Sequence, residues 1–288
     1  MSPPPPNEQH YAFVGGAPRS GTTYVQLLLY ASGEFATAQE THLFTAFLGR
    51  LDEVWERFEE RSKTHRDVGL PTVISRAKFD DILRAAAVTV MSDIAHRKPA
   101  ARWILEKTPE NILVWPLIVR LLPKARFLVV VRDPRAVVAS TIAARSWAGE
   151  WAHRDVGQIA ESWVRSIRAG LALEASHPHV IRIRYERLRA QTPSVLTEIL
   201  GRFGLKAPPE NVRRIVASVS LQALKEKRVE APWPLAGEPP DFFRKGSGTA
   251  WRQELSVAKI ALIEEIAQEE MKLLGYEPVI KIGGTASD

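Results

Sequence analysis

The segment YAFVGGAPRSGTTY, from Tyr11 to Tyr24, constrains the fold more than any other part of the sequence. A short apolar run leads into a glycine-containing turn, and a helical pattern with apolar positions at Val25, Leu28 and Leu29 follows. A strand that enters a helix through such a turn directs backbone N–H groups and the positive end of the helix dipole at one point. The segment therefore predicts a binding site for an anion, and for a phosphate group in particular.

This turn differs from the nucleoside-triphosphate-binding P-loop at one decisive position. Gly16 and Gly21 have the separation of that motif and Thr23 has its hydroxyl position, but Thr22 stands where the motif has lysine. Because that lysine holds the β- and γ-phosphates, we predict a nucleotide with a shorter 5′ group. Arg19 supplies a forked donor within the loop instead. The alternative at this point is a strand, turn and helix whose glycines have no ligand.

Strand-like apolar runs alternate with longer helical patterns along the chain, which favours a parallel sheet covered by helices. The run of residues 127–131 is apolar throughout, as in a central strand that is buried on both faces. We therefore predict an α/β fold: a single P-loop-like, three-layer domain with a central, mostly parallel sheet flanked by helices. The predicted strands are Ala12–Gly15, Trp103–Leu105, Arg126–Val131 and Val180–Tyr185.

Two irregular regions interrupt this alternation and are expected to contact the substrate. A helical insertion follows the first predicted strand, and a proline- and glycine-rich loop precedes a long amphipathic helix over Ser256–Leu274. The predicted organisation is a disordered leader over 1–10, a domain over 11–276 with the insertion at about 41–100 and a lid loop at about 229–250, and a tail over 277–288.

The composition excludes several classes of protein. The 288 residues contain 39 lysines and arginines against 33 acids, a net charge of +6, which favours anionic ligands but is too mild to indicate nucleic acid. The absence of cysteine excludes thiolate metal sites and a cysteine nucleophile, and the histidines lack a metal-ligand spacing. We expect no signal peptide, no transmembrane segment and a cytoplasmic location.

A second candidate anion site follows the predicted strand Arg126–Val131. Asp133 suits the N-cap of the next helix and Pro134 its first position, while Ser140 lies two turns later on the same face. With Arg132 at the end of the strand, this face predicts a phosphate site that needs no metal ion. The alternative is a surface arginine together with a serine inside the helix.

Four segments, taken in order, resemble the signatures of sulfotransferases that use 3′-phosphoadenosine 5′-phosphosulfate (PAPS). They are Gly16-Ala-Pro-Arg-Ser-Gly-Thr-Thr23, Glu106-Lys-Thr-Pro109, Val131-Arg-Asp-Pro-Arg135 with Ser140, and Arg184-Tyr-Glu-Arg-Leu188. In the last segment, Arg187 replaces the aspartate that is usual in this family. The resemblance spans about residues 11–276.

The resemblance implies a site for PAPS, with 3′-phosphoadenosine 5′-phosphate (PAP) as product and no metal ion. The first loop would bind the 5′-phosphosulfate, the second loop the 3′-phosphate, and a tyrosine would approach the nucleotide. The late segment Phe242–Gly246 resembles a second 3′-phosphate clamp, in which the match is imperfect. The implied nucleotide-binding residues are Arg19, Ser20, Gly21, Thr22, Thr23, Arg132, Ser140, Tyr185, Arg244, Lys245 and Gly246.

The resemblance also implies which residues act in the transfer of the sulfuryl group to an acceptor hydroxyl. In the subgroup with this loop, a glutamate about twenty residues beyond the loop arginine serves as general base, in a short Glu-Thr signature. Glu40, twenty-one residues after Arg19, matches it. Lys107 and Arg19 are the expected catalytic cations. His42, Glu106 and Glu110 are the alternative bases.

Two other functions stay open from the sequence: a P-loop kinase with a degenerate loop, in which Asp133 is the nearest magnesium ligand, and a non-catalytic nucleotide-binding protein. For the main hypothesis, the partner is a hydroxyl-bearing acceptor. The open classes are carbohydrate, lipid, a carrier-bound hydroxyacyl chain, a phenolic metabolite and a peptide tyrosine, and a small molecule or glycoconjugate is favoured. Most of the tryptophans are expected to pack in the core or in a groove, and Trp147 and Trp151, beyond the helix of the second loop, are the first pair to examine for stacking on a carbohydrate. The sequence predicts no oligomeric state.

Overall fold

The computed structural model describes residues 10–64, 69–239, 242–244 and 246–280. Within these residues, five strands form one sheet in the order β2-β3-β1-β4-β5, and every neighbouring pair is parallel. The strands are β1 (His10–Gly16), β2 (Phe35–Thr37), β3 (Trp103–Lys107), β4 (Arg126–Val131) and β5 (Val180–Arg184). Of the predicted leader and tail, residues 1–9 and 281–288 lie outside the described residues.

Helices connect the strands and cover both faces of the sheet. The α-helices are α1 (Thr22–Ala31), α2 (Gly49–Thr64), α3 (Arg76–His96), α4 (Trp115–Leu121), α5 (Pro134–Ala143), α6 (Val156–Ser176), α7 (Tyr185–Ala190), α8 (Thr192–Arg202), α9 (Pro209–Ser218), α10 (Leu221–Lys225), α11 (Trp251–Glu254), α12 (Val257–Ile266) and α13 (Gln268–Leu273). A π-helical turn covers Leu43–Leu48, and 3₁₀ turns cover Leu70–Thr72, Pro109–Val114, Ala144–Ser146, Glu150–Ala152 and Leu235–Gly237. No helix of the described part has the length and hydropathy that crossing a membrane requires.

Strand β4 shows why the chain forms three layers. Successive side chains of a strand point to opposite faces of the sheet. Phe127 and Val129 accordingly pack into one buried apolar cluster, and Leu128 and Val130 pack into a second cluster on the other face. Because both faces need cover, helices lie on both sides. The prediction of an α/β fold with a central parallel sheet is confirmed.

The structure adds one strand to the four that the sequence predicts. The edge strand β2 has three residues and pairs in parallel with β3, with Phe35 opposite Trp103. The helical segments of the insertion therefore lie between β2 and β3. The chain between β2 and the π-helical turn passes over the carboxyl end of β3, which brings residues 40–42 close to the end of that strand.

The C-terminal helical region packs on the helix that follows β4. Ile260 and Ile263 of α12 share a buried cluster with Ala136 and Val138 of α5. The sequence predicts one helix over Ser256–Leu274, whereas the structure has α12 and α13 in sequence, separated at Ala267. This packing fixes the position of α5, whose N-terminus forms part of the site described below.

Candidate active site

A cleft of about 530 Å³ lies at the carboxyl ends of β1, β3 and β4, beneath the segment that precedes α11. Ligands of parallel sheets bind at this edge. Most of the residues predicted to act in binding or transfer line it. The lining consists of Pro18, Arg19, Gly21, Thr22, Thr23, Tyr24, Glu40, His42, Pro109, Glu110, Arg132, Ser140, Trp147, Trp151, Tyr185, Arg189, Leu221, Leu224, Phe242, Phe243, Arg244, Gly246 and Ser247.

Two glycines give the first loop its shape. A Cβ on Gly16 would lie 2.4 Å from the carbonyl oxygen of Val130, because β1 and β4 approach closely there. Gly21 has a φ of 99° and precedes α1, and a Cβ on it would lie 2.4 Å from the Tyr185 ring. Both positions need glycine for space and for backbone conformation. The loop therefore turns tightly into α1, with Tyr185 packed directly against it.

The remaining residues of the first loop surround the start of α1. Thr22, Thr23 and Tyr24 form its first turn and line the cleft. The first amides of a helix have no partner within the helix, so this turn can bind an anion. Ser20 is fully buried, and its Oγ has no hydrogen-bond partner among the residues that the structure describes. Such an atom suits a ligand that supplies the missing bond.

Arg19 extends from the first loop toward the second. Its backbone is left-handed, with a φ of 69°, and its Nε donates to Ser140 Oγ at 3.3 Å. The guanidinium lies 5.4 Å from the ring centres of both Trp147 and Phe242. Burial, together with the neighbouring Arg132 and other cationic charge, lowers the pKa of Arg19 to about 10. Arg19 is therefore still a cation at neutral pH, and a bound anion would stabilise its charge.

Arg132 is the second buried cation of the cleft. Its two Nη atoms donate to the carbonyl oxygens of Arg19 and Ser247, each at 2.9 Å, and its guanidinium lies 4.3 Å from the centre of the Tyr185 ring. Its Nε is buried without a partner in the described part of the chain. Burial lowers the pKa of Arg132. Its present partners are neutral carbonyls, so an anion would satisfy this arginine better than they do.

The helix that carries Ser140 begins with a polar cap. The Asp133 carboxylate accepts from the backbone N–H of Arg135 at 2.9 Å, and both of its oxygens also accept from the Arg135 guanidinium. Arg135 in turn donates to Glu264 of α12 at 2.5 Å. The Asp133 carboxylate is thus committed to capping α5 and to a nearly buried ion pair. This arrangement suits a structural role better than that of a magnesium ligand.

The segment before α11 closes the cleft through backbone and side-chain contacts. Ser247 accepts from Arg132, and the carbonyl oxygen of Gly246 accepts from Arg189 Nε at 3.2 Å. Arg244 forms a bidentate ion pair with Glu254, with distances of 2.6 and 2.8 Å. Lys245, the other cation predicted for the clamp, lies outside the described residues.

A lysine and a glutamate form an ion pair beside the first loop. Lys107 ends β3 with only 3% of its surface exposed, and its Nζ contacts Thr23 Oγ1 at 3.2 Å and the Glu40 carboxylate. His42 Nε2 lies 3.9 Å from the other oxygen of Glu40. A cation and a candidate base therefore lie side by side next to the start of α1. The cation can stabilise negative charge that develops beside the carboxylate.

The sequence pattern described as the sulfotransferase family matches residues 12–209 of this chain. This match covers the first loop, β3, β4 with α5, and α7. The chain belongs to the sulfotransferase family. The resemblance that the four signatures indicate is thereby confirmed.

Individual relatives agree with this assignment. A protein-tyrosine sulfotransferase of Drosophila melanogaster is 32% identical over 136 residues, which are 47% of this chain and 26% of the fly protein. The matched segment therefore spans about a quarter of that relative's length. A sulfotransferase domain from the curacin biosynthetic pathway superposes with a TM-score of 0.58 at 19% identity, over 93% of this chain and 98% of that domain. A mouse sulfotransferase in complex with PAP superposes with a TM-score of 0.58 at 15% identity, over 91% of this chain and 85% of the mouse chain. These superpositions show the fold.

Among the alternative bases of this sulfotransferase-family chain, two lie at the cleft and one does not. His42 and Glu110 line it, while Glu106 is 1% exposed and accepts hydrogen bonds from neighbouring residues. Burial raises the pKa of Glu110, and its Oε2 has no partner among the described residues. None of the hydrogen-bond partners of Glu106 in the described part of the chain lines the cleft.

One charged residue of the cleft lining, Arg189, has no counterpart among the sequence predictions. It lies on α7 four residues after Tyr185, on the same helical face, and its guanidinium is 5.0 Å from the centre of the Tyr24 ring. The four-residue spacing between Tyr185 and Arg189 on one helix could have indicated that both face the cleft. Arg187, at the position of the family's aspartate, instead points outward and pairs with Glu198 at 2.8 Å. Within the described residues, no group of three or more acidic or histidine side chains could hold a metal ion.

Proposed function

We propose that this protein transfers the sulfuryl group of PAPS to the hydroxyl group of an acceptor. The observation that carries the proposal is the convergence of Arg19, Arg132 and Ser140 in one cleft, with the Lys107–Glu40 ion pair at the end formed by the first loop. The lysine-free loop suits a 5′ group shorter than a triphosphate. The buried arginines suit a second phosphate on the same nucleotide.

The site fits the nucleotide at atoms that have no other partner. Ser20 Oγ and Arg132 Nε are buried and lack hydrogen-bond partners among the described residues. A doubly charged anionic ligand would supply acceptor oxygens for both atoms. In the proposal, the first loop and the start of α1 bind the 5′-phosphosulfate. Arg132 and Ser140 bind the 3′-phosphate, beneath the segment that contains Arg244 and Gly246. The fold is shared with a mouse sulfotransferase whose structure contains PAP, which supports a nucleotide of this kind as the ligand.

In the proposed reaction, bound PAPS supplies a sulfuryl group whose bond to the bridging oxygen breaks as the acceptor oxygen attacks the sulfur in line. Glu40 accepts the proton of the acceptor hydroxyl. Lys107, held against Thr23, and Arg19 neutralise the charge that develops on the departing 5′-phosphate. The chain thus contributes a base, two cations and fixed positions, and the reaction balances without a metal ion.

The acceptor site in this proposal is the aromatic side of the cleft. Trp147 and Trp151 meet edge to face with ring centres 6.4 Å apart, and Phe242 packs against Trp147 at 5.6 Å. A wall of this kind suits the flat face of a phenol or of a sugar ring. The expected small molecule or glycoconjugate and the tyrosine phenol, suggested by the relatives' names, are therefore the acceptors to compare. The cytoplasmic location stays a prediction that cell fractionation would test.

The proposal is tested by transfer of radiolabelled sulfate from PAPS to a simple phenol, a tyrosine-containing peptide and a set of oligosaccharides. Labelled product with the wild type, and its loss with Glu40→Gln although PAP still binds, supports the proposal. A protein that binds PAP but labels none of the acceptors, under conditions where a known sulfotransferase labels them, would favour the non-catalytic alternative. Hydrolysis of ATP that requires magnesium would instead favour the kinase.

A further inference from the structure

The loop that carries Glu40 is anchored by a buried carboxylate that the transfer reaction does not use. Glu106 lies on β3 with 1% of its surface exposed. Its Oε1 accepts from Thr41 Oγ1 at 2.7 Å, from the Thr41 backbone N–H at 3.4 Å and from Thr108 Oγ1 at 2.8 Å. Its Oε2 accepts from the side-chain amide of Asn111. Four donors therefore converge on one carboxyl group.

These bonds fix the two residues that follow Glu40, Thr41 and His42. Thr41 follows Glu40 directly and gives Glu106 two of its four donors. Thr108 donates to Glu106 and at the same time accepts from the backbone N–H of His42 at 3.2 Å. The backbone of His42 is left-handed, with a φ of 51°, a conformation that persists when surrounding contacts determine it. In this arrangement of the loop, these donors of Thr41, His42 and Thr108 all have acceptors.

The order of residues on β3 explains why the network reaches the site. Consecutive residues of a strand point to opposite faces, so Glu106 and Lys107 reach different surroundings from adjacent positions. Lys107 contacts the Glu40 side chain directly. Glu106 contacts the next residue, Thr41, from the other side. Two consecutive residues at the end of β3 thus position Glu40. Lys107 forms an ion pair with its side chain, and Glu106 binds the next residue of its loop, Thr41.

We propose that Glu106 is a positioning residue, which holds Glu40 over the transferring group through the hydroxyl groups of Thr41 and Thr108. The proposal rests on the proposed function, in which Glu40 is the base. Glu106 itself does not accept the substrate proton, because its oxygens already accept from four donors. A buried carboxylate is costly unless it is satisfied in this way, so its bonds define the loop geometry strictly.

Thr41→Val is the sharpest test, because it keeps the shape of the side chain and removes the hydroxyl donor. We expect kcat to fall by about 10- to 100-fold, since misplacement of a catalytic group by about 1 Å has an effect of that size. The KM for PAPS should change little, and Thr41→Ser should restore kcat. Thr89→Val is the matched control, because the Thr89 hydroxyl bonds only to its own exposed helix.

The variant Glu106→Gln distinguishes a positioning role of Glu106 from a role as the general base. The amide keeps one oxygen for Thr41 and Thr108, and Asn111 Oδ1, which has no partner among the described residues, can accept from the new amide after rotation. We expect kcat to stay within about fivefold of the wild type, since the neutral hydrogen bonds remain. Loss of activity in Glu106→Gln as complete as in Glu40→Gln would overturn the positioning role.

The double variant distinguishes a failure of this inference from a failure of the proposed function. If Thr41 acts through Glu40, Thr41→Val should lower kcat no further in a Glu40→Gln background, whereas a purely structural effect would lower both backgrounds equally. An active Glu40→Gln would contradict the proposed base. An inactive Glu40→Gln combined with a fully active Thr41→Val would overturn only the positioning role of Glu106.

Discussion

At the scale of single residues, the cleft is a place where charges are held in unfavourable surroundings until a ligand binds. Arg19 and Arg132 have lowered pKa values because they are buried close to other cations. Their present partners are a hydroxyl and backbone carbonyls, which an anionic ligand can replace. Burial likewise disfavours the charged form of Glu110, whose pKa is raised. Such groups reduce the stability of the free protein and are typical of functional sites.

Glu110 should make stability depend on pH in a predictable direction. Burial raises its pKa above the ordinary 4.5, so the folded state favours the protonated acid. The stability that this group contributes is complete below pH 4.5 and is lost as the pH rises through the raised pKa. Glu110→Gln removes the ionisable group, so the variant does not lose this stability as the pH rises. We expect the variant to unfold at a higher temperature than the wild type at pH 7.

The measurement is thermal unfolding of both proteins between pH 4 and pH 8. The difference between variant and wild type should be smallest at pH 4 and grow toward pH 7. Glu265→Gln, on the exposed side of α12, is the control and should show no such trend. A difference for Glu110→Gln that stays constant over the whole range would contradict the account of this residue.

At the scale of the elements, the junctions between strands and helices form the site. The first loop depends on two glycines and on Tyr185 packed against it, and the second depends on the capped start of α5. The two loops meet through Arg19 and Ser140. A change at either junction should therefore affect nucleotide binding as well as folding.

Gly21→Ala should abolish most nucleotide binding. The new Cβ would clash with the Tyr185 ring and would also require a φ of 99°, so the loop or the ring must move. Gly33→Ala is the matched control, because Gly33 also has a positive φ, of 83°, but nothing lies within 4 Å of its Cβ position. Gly33→Ala should cost about 1 kcal/mol of stability and leave the affinity for PAP unchanged. Calorimetric titration with PAP checks both variants, and equal affinity in the two would refute the role of this contact.

Asp133→Asn tests whether the second loop is structural or binds a metal ion. Asparagine still caps a helix, but the nearly buried ion pair with Arg135 is lost, so we expect a loss of about 1–3 kcal/mol in unfolding free energy. Glu198→Gln, which breaks the exposed pair with Arg187, should cost at most about 1 kcal/mol. Urea unfolding measures both. Sulfuryl transfer that depends on magnesium in the wild type and disappears in Asp133→Asn would contradict the structural role.

At the scale of the whole molecule, the sequence predicts four of the five strands that the structure describes and misses the edge strand β2. Strands β1, β3, β4 and β5 follow from runs bounded by turns. Strand β2 is a short edge strand, and its pairing with β3 joins residues far apart in the chain. The local sequence pattern therefore predicts the layers of the fold, whereas the edge of the sheet depends on pairing between distant segments.

The same difference in range explains which parts of the site could be predicted. The phosphate loops are local motifs, so their residues follow from the sequence and the family resemblance. Arg19 contacts Phe242 across 223 positions and Ser140 across 121, and no local pattern encodes such contacts. The ion pair between Lys107 and Glu40 likewise joins two motifs that are separate in the sequence. Only the fold brings them together.

The central claim is that the cleft binds both ends of a bisphosphorylated adenosine through arginines and backbone amides, without a divalent cation. Calorimetric titration in EDTA tests it most directly. The account predicts that adenosine 3′,5′-bisphosphate binds in EDTA, and that ATP binds more weakly in a parallel titration with magnesium and no EDTA. It also predicts that Arg132→Gln weakens binding of the bisphosphate by about 10- to 100-fold while leaving adenosine 5′-phosphate nearly unaffected. Tight binding of ATP with magnesium and none of the bisphosphate, or an Arg132→Gln variant with wild-type affinity for the bisphosphate, would contradict it.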